Sequence, residues 1–233
     1  MARPLRIEFE DAIYHLCARG NARQPVFRDE PDCDRFLKLL GESAQRFEAA
    51  ILCFVLMGNH FHLVAQTHRP NLRRWMHWLL VAYTVYFNRR HRSSGHLFQG
   101  RYKSFLVQEG DYLLGLSRYV HLNPVRGVSL GRGTPSNRRK RLRAFRWSSY
   151  RGYAGLSAPF PFVQEAMVLD ELRGPGVADS SSKNAASFSS ASTTKRFPSV
   201  RIALESPVIA FSKTLLAFSG PPCYNGGYGK PCY

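Results

Sequence analysis

Seven apolar residues in a row, Ala50 to Leu56, run into Gly58-Asn59, and a second short run, His60 to Ala65, follows at once. The first run is far too short to span a bilayer. Its length and lack of polar positions predict a buried strand. Gly-Asn is a tight-turn signal, so the two runs predict an antiparallel hairpin. A buried hairpin must be covered, and the flanking sequence supplies the layers. Residues 12–18 read as a strand closed by Arg19-Gly20-Asn21. Residues 30–48 read as a helix with Asp29 as N-cap and Phe36, Leu37, Leu39, Leu40, Ala44 and Phe47 at helical spacing. Asn71 opens a second helix that runs to about Arg90, with Trp75, Trp78, Leu79, Ala82, Val85 and Tyr86 on its apolar side. Residues 91–100 read as a loop and 102–108 as a strand. Asp111 caps a further helix that Pro124 ends. The order β-α-β-β-α-β and then a helix predicts an α+β fold, a ferredoxin-like antiparallel sheet backed by helices on one face.

The chain of 233 residues is long enough for one such domain and a tail. We divide it at residues 1–155, a C-terminal extension at 156–179, and a tail at 180–233. Residues 180–194 hold seven Ser and two Thr, a composition that cannot bury a core and predicts a poorly ordered segment. Charge narrows the function. The formal net charge is +17, and residues 49–163 carry 18 Lys/Arg against only Glu109 and Asp111. A field that one-sided favours a polyanion, because each neutralised phosphate releases counterions. The first residues hold no apolar leader, and the five cysteines are scattered without a Cys-x-x-Cys pair. A disulfide framework and a zinc knuckle are thereby disfavoured, and a cytoplasmic, nucleoid-associated protein is expected.

His60-Phe61-His62 carries the chemistry. On a strand, residues i and i+2 share a face, so the two imidazoles project side by side while Phe61 faces the core. Such a pair can hold a divalent metal, though a bare His-x-His also arises often by chance. Tyr119 lies on the helix begun by Asp111, with Asn123 four residues on and near it on one side. A phenol with a pKa of about 10 needs activation to act as a nucleophile at neutral pH. Spacing alone leaves Tyr119 open to the reading of a half-buried aromatic, with Tyr112 as competitor.

Five motifs occur in order: Arg19-Gly20-Asn21-Ala22-Arg23, Met57-Gly58-Asn59-His60-Phe61-His62-Leu63-Val64, Phe98-Gln99-Gly100-Arg101-Tyr102-Lys103-Ser104, Tyr119 to Arg126, and Trp147-Ser148-Ser149-Tyr150. Together they resemble the REP-associated tyrosine transposases, single-tyrosine enzymes with a His-hydrophobic-His motif, over roughly residues 5–155. The resemblance implies that His60, His62 and Asn123 hold Mg²⁺ or Mn²⁺. It implies that Tyr119 attacks single-stranded DNA and forms a 5′-phosphotyrosine. The substrates it implies are strands bearing palindromic hairpins, bound by a monomer or a homodimer. Arg19, Asn21, Arg23, Arg101, Tyr102, Lys103, Arg126 and Trp147 are candidate DNA contacts. Tyr102, Trp147 and Phe98 read either as base-stacking partners or as ordinary aromatics.

The chain departs from the family in three places. Gly58 stands where Pro is usual. A basic insertion with Arg138, Arg139, Lys140 and Arg141 precedes Trp147, and reads as a flexible DNA-contacting loop or a solvated linker. The segment after about residue 175 has no family likeness and reads as a degenerate or frame-shifted extension. The alternative function is a non-catalytic regulator that binds nucleic-acid hairpins. A metal-dependent hydrolase of small phosphoesters is disfavoured by the scarcity of carboxylates near the histidines. The same scarcity makes the proposed ligand set neutral, which predicts loose metal binding until DNA phosphate adds charge.

Overall fold

The computed structural model describes residues 8–126 and 134–171. The elements β1 (Ala12–Arg19), α1 (Glu30–Phe47), β2 (Ala49–Met57), β3 (His60–Thr67), α2 (Leu72–Arg90) and β4 (Lys103–Val107) follow in the expected order. Four helices come after them: α3 (Asp111–Arg126), α4 (Pro135–Ala144), α5 (Tyr150–Tyr153) and α6 (Glu165–Glu171). The strands form one sheet in the order β2-β3-β1-β4, and every neighbouring pair is antiparallel. Two interleaved β-α-β units in this order make the ferredoxin-like α+β arrangement.

Helices α1 and α2 cover one face of the sheet. Asp29 caps α1 by accepting the Asp32 N–H, and Pro31 sits in the first turn, where its missing N–H costs nothing. Phe36, Leu39 and Leu40 of α1 and Trp75, Leu79 and Tyr83 of α2 bury against Leu16, Phe54, Phe61 and Leu63 of the strands. Tyr83 also donates its hydroxyl to the Val26 carbonyl at 2.6 Å. The buried stripe of α2 is Leu72, Trp75, Met76, Leu79, Tyr83 and Phe87. It is rotated from the stripe read in the sequence, and Val85 is 62% exposed. Trp75 and Leu79 belong to both stripes, and Trp78, Ala82 and Tyr86 pack part-buried at the edge of the core.

The opposite face, to which the sequence assigned no helix, is covered by α3 and its successors. Leu113, Leu116 and Val120 of α3, Leu142 of α4, Tyr153 of α5 and Val168 of α6 pack on Ile13, Leu52, Cys53, Val55 and Val64. Both faces are therefore dry under β2, which explains its unbroken apolar run. Its register with β3 shifts between Ile51 and Cys53. This bulge lets Leu52 and Cys53 face the same layer and restores the alternation for Phe54 to Met57. The outer edge of β2 takes up the Trp147-Ser148-Ser149 backbone. Leu56 N–H donates to Trp147 O at 2.8 Å and Ser149 N–H to Phe54 O at 3.1 Å. Further along the same edge, Gln164 N–H donates to Ile51 O at 2.8 Å.

Two local readings are corrected. Asp111 is the first helical residue of α3 rather than its cap, and α3 continues through Pro124 to Arg126. Pro124 lies in the last turn, so only the Val120 carbonyl loses its helical donor, and the buried Pro124 and Val125 hold the turn by packing. Residues Arg138 to Arg141 are helical, not loop. Thr134 caps α4 by accepting the Asn137 N–H at 3.3 Å, Pro135 starts it, and Leu142 anchors it. Gly131, Arg132 and Gly133 and the 180–233 tail lie outside the described residues. Among the described residues no helix is long and apolar enough to cross a membrane.

Candidate active site

The site lies on the α3 face of the sheet and begins with strand register. On β3, Phe61, Leu63 and Ala65 face α1 and α2. His60 and His62 take the other face, and their ring centroids lie 5.2 Å apart. On β1 the partner of His62 is Cys17 and the partner of His60 is Arg19. Two residues further along β1, on the same face, comes His15. Its Nε2 lies 2.9 Å from His62 Nδ1, and the two rings stack at 5.1 Å. The third histidine went unremarked in the sequence, where it stands 47 residues from His62 among apolar neighbours. Only the pairing of β1 with β3 brings it in.

The hairpin turn fixes His60. Gly20 N–H donates to Asn59 O, and both Val26 and Phe27 N–H donate to Gly58 O, at 2.8 to 3.0 Å. The Arg19-Gly20-Asn21-Ala22-Arg23 segment therefore braces the turn from below. A Cβ on Gly20 would overlap the Gln24 carbonyl, so glycine is required there by close approach. Ala22 and Arg23 follow with φ of 49° and 62°, the left-handed region. Asn59 Nδ2 donates to Arg23 O at 3.2 Å, and Asn59 Oδ1 lies 2.7 Å from His60 Nδ1.

Burial holds all three imidazoles neutral. The pKa of His15 is pushed down to about 4 by desolvation. That of His60 falls to about 4 through desolvation and then the Arg19 charge. His62, 3% exposed, is held well below the usual histidine range by burial and then by the neighbouring His15 and His60. Neutral imidazoles keep a nitrogen lone pair for a ligand.

Tyr119 comes to the histidines from α3. Its ring lies 5.6 Å from His62 and 6.3 Å from His15, edge-on to both. Arg126, two turns later, places its guanidinium 4.9 Å from the Tyr119 ring centroid. Asn123 Nδ2 donates to the Tyr119 carbonyl at 3.0 Å, which leaves Oδ1 as its acceptor. Tyr112, the competitor, is exposed in the first turn of the helix and makes no ring contact with the histidines among the described residues.

The other candidate residues divide. Lys103 pairs with Cys17 on the site side of the sheet, and Arg19 pairs with His60. Arg101, Arg126, Arg139, Lys140 and Arg141 are exposed and Arg138 is half-buried. Helix α4 packs beside α3, so its basic surface adjoins the Tyr119 helix. Asn21 and Arg23 are exposed on the loop that braces the turn. Tyr102, 5% exposed, and Phe98 belong to the core, so neither offers a face to a base. Trp147 is half-buried against the same core, with Arg146 over its ring at 5.3 Å. The aromatic that does lie open beside the histidines is Phe105, 47% exposed and 5.9 Å from the His15 ring. Sequence reading passed over it, since nothing short of the β1–β4 register puts it opposite His15.

The Transposase IS200 like family model matches residues 8–123, and that part of the chain belongs to the family. Among solved structures it resembles a REP-associated tyrosine transposase bound to a REP hairpin. The TM-score is 0.53 at 11% identity, over 80% of this chain and 100% of that one, a likeness of fold. A protein of Deinococcus radiodurans R1 described as a transposase matches at 19% identity and a TM-score of 0.37, over 46% of this chain and 88% of that one. No curated protein sequence matches the chain.

Proposed function

We propose that the chain is a DNA strand transferase that cuts and rejoins single-stranded DNA at palindromic hairpins, with Tyr119 as nucleophile and a divalent cation held by His60, His62 and Asn123. The observation that carries this is the approach of Tyr119 to His62 from a different element, at 5.6 Å between ring centroids. The residues fit a cation. Both histidines have Nδ1 engaged, His60 with Asn59 and His62 with His15, and wherever that Nδ1 donates, Nε2 keeps its lone pair for a ligand. Asn123 adds an amide oxygen. Among the described residues no group of three or more His, Cys, Asp or Glu is placed to hold a metal. Two imidazoles and an amide carry no charge, so DNA phosphate would add the negative charge to the set. Mg²⁺ or Mn²⁺ held there would polarise the scissile phosphate and offset the charge that develops on it.

In the proposed reaction the Tyr119 oxygen bonds to phosphorus while the bond from phosphorus to the 3′ oxygen breaks. The phenol gives up its proton and the departing 3′ oxygen takes one up, leaving a 3′-OH and a 5′-phosphotyrosine. The phosphodiester energy stays in the tyrosyl ester, so rejoining needs no ATP. Arg126, its guanidinium over the Tyr119 ring, brings positive charge that would attract the phosphate. Phe105 offers a stacking face for a base next to the cut. The hairpin substrate is supported by the shared fold with a transposase bound to a REP hairpin and by the basic surface of α4 beside α3.

The test is incubation with labelled single-stranded hairpin DNA and Mn²⁺. A covalent protein–DNA adduct is expected from the wild type and none from Tyr119→Phe. An adduct of full yield in Tyr119→Phe would move the nucleophile elsewhere. Unaltered function after His60→Ala plus His62→Ala would instead favour the non-catalytic hairpin regulator.

A further inference from the structure

Each of the two site histidines has its Nδ1 engaged by a different residue, and the donors and acceptors can be traced. The Arg23 carbonyl can only accept. The Asn59 group 3.2 Å from it is therefore the amide NH₂. That fixes the orientation of the Asn59 side chain and makes the atom 2.7 Å from His60 Nδ1 the amide oxygen, an acceptor. His60 must then carry its proton on Nδ1, and its lone pair lies on Nε2. The chain of bonds runs from a left-handed backbone turn at Ala22 and Arg23, through Asn59, to the imidazole.

His62 has the corresponding arrangement with another partner. Its Nδ1 lies 2.9 Å from His15 Nε2, across the β1–β3 pair. One of the two nitrogens carries the proton. With the proton on His15, His62 would hold its own proton on Nε2 and have no lone pair left on that atom. With the proton on His62 Nδ1, His15 accepts, and His62 Nε2 matches His60 Nε2.

Resting on the metal-pair reading above, we propose that Asn59 and His15 are positioning residues that set both site histidines as Nδ1–H tautomers and present two Nε2 lone pairs to one cation. Partners of this kind orient metal-binding imidazoles and raise their basicity. Neither residue touches the cation or the DNA. The arrangement gives the Arg19–Arg23 segment a second task besides DNA contact, since its Arg23 carbonyl orients Asn59. It also accounts for a histidine at position 15, between Ile13 and Cys17 on that face of β1.

Two measurements on the full chain test this. The first is long-range ¹H–¹⁵N correlation of the imidazoles in the metal-free wild type, which reads the tautomer directly and needs no variant. Nδ1–H is expected at both His60 and His62. Nε2–H at either one overturns the proposal. The second is Mn²⁺ titration followed by electron paramagnetic resonance. Asn59→Ala and His15→Leu should each weaken Mn²⁺ binding roughly 10–100-fold, whereas Asn59→Asp and His15→Gln, which keep an acceptor in reach, should stay within about threefold. Wild-type affinity in both Asn59→Ala and His15→Leu overturns the positioning role while leaving the histidine pair as the metal site. Mn²⁺ binding that survives His60→Ala plus His62→Ala removes the metal pair, and the proposal falls with it.

Discussion

Tyr102 and Phe105 stand three residues apart and have opposite surroundings. Tyr102 is 5% exposed among core aromatics, and Phe105 is 47% exposed beside His15. Tyr102→Ala should therefore cost about 3 kcal/mol in urea unfolding, the scale of a large core truncation. Phe105→Ala should leave stability within about 0.5 kcal/mol, as expected of a surface change. It should weaken binding of a single-stranded oligonucleotide by about 1–3 kcal/mol, the usual worth of one base–aromatic stack. The reverse pattern would return Tyr102 to the DNA surface. Tyr102 stood out in the sequence because it lies between Arg101 and Lys103, whereas Phe105, in an apolar stretch, did not. Burial is decided by residues distant in sequence, and no local pattern announces it. His60 and His62 were legible because the period of a strand needs only two positions. His15 was not, because its relation to His62 exists only through strand register.

At the scale of elements, the sheet and the two long helices were legible because each announces its own period. What the sequence did not display was the correction inside β2. The run from Ala50 to Leu56 is apolar at every position, so a bulge leaves no trace in it. Tyr153 on α5 identifies the place, donating its hydroxyl to the Leu52 carbonyl at 2.7 Å from a fully buried position. Leu52 is the residue that the register shift leaves without a partner on β3. Tyr153→Phe should cost about 1–3 kcal/mol, because it strands a buried carbonyl. Hydrogen exchange should quicken first at the Ile51–Cys53 amides. An unchanged urea midpoint would show that the bulge holds itself. Helix α4 escaped notice for a different reason. Its Pro-Ser-Asn-Arg-Arg-Lys-Arg-Leu-Arg-Ala sequence has no apolar stripe, and it is held by the Thr134 cap and by Leu142 against α3.

For the whole molecule, the one-sided charge makes DNA affinity a function of salt. The plot of log K against log salt for single strands has a slope of roughly −0.7 per neutralised phosphate. Replacing Arg138, Arg139, Lys140 and Arg141 with Gln should flatten that slope by up to about 3 if all four meet phosphate. An unchanged slope would make α4 a solvated face. Stability should depend on pH through His121, which is fully buried, lies 2.8 Å from Ser149 Oγ and has its pKa pushed down to about 3 by desolvation. The unfolded chain binds the proton near the ordinary histidine value of about 6.5, so acid favours unfolding. Full stability is expected above that value, with loss as pH falls from there towards 3. His121→Gln should blunt the loss in urea titrations, and an equal pH slope in the variant would rule His121 out. Helix α3 is anchored to the sheet by Leu113, Leu116, Val120 and Val125, while Tyr119 is only half-buried beside them. Tyrosine and phenylalanine codons differ at one nucleotide. If Tyr119 is the nucleophile, a single point mutation would turn this fold from an enzyme into a hairpin-binding protein with its core untouched, and a gene copy that lost mobility would have binding left for selection to keep.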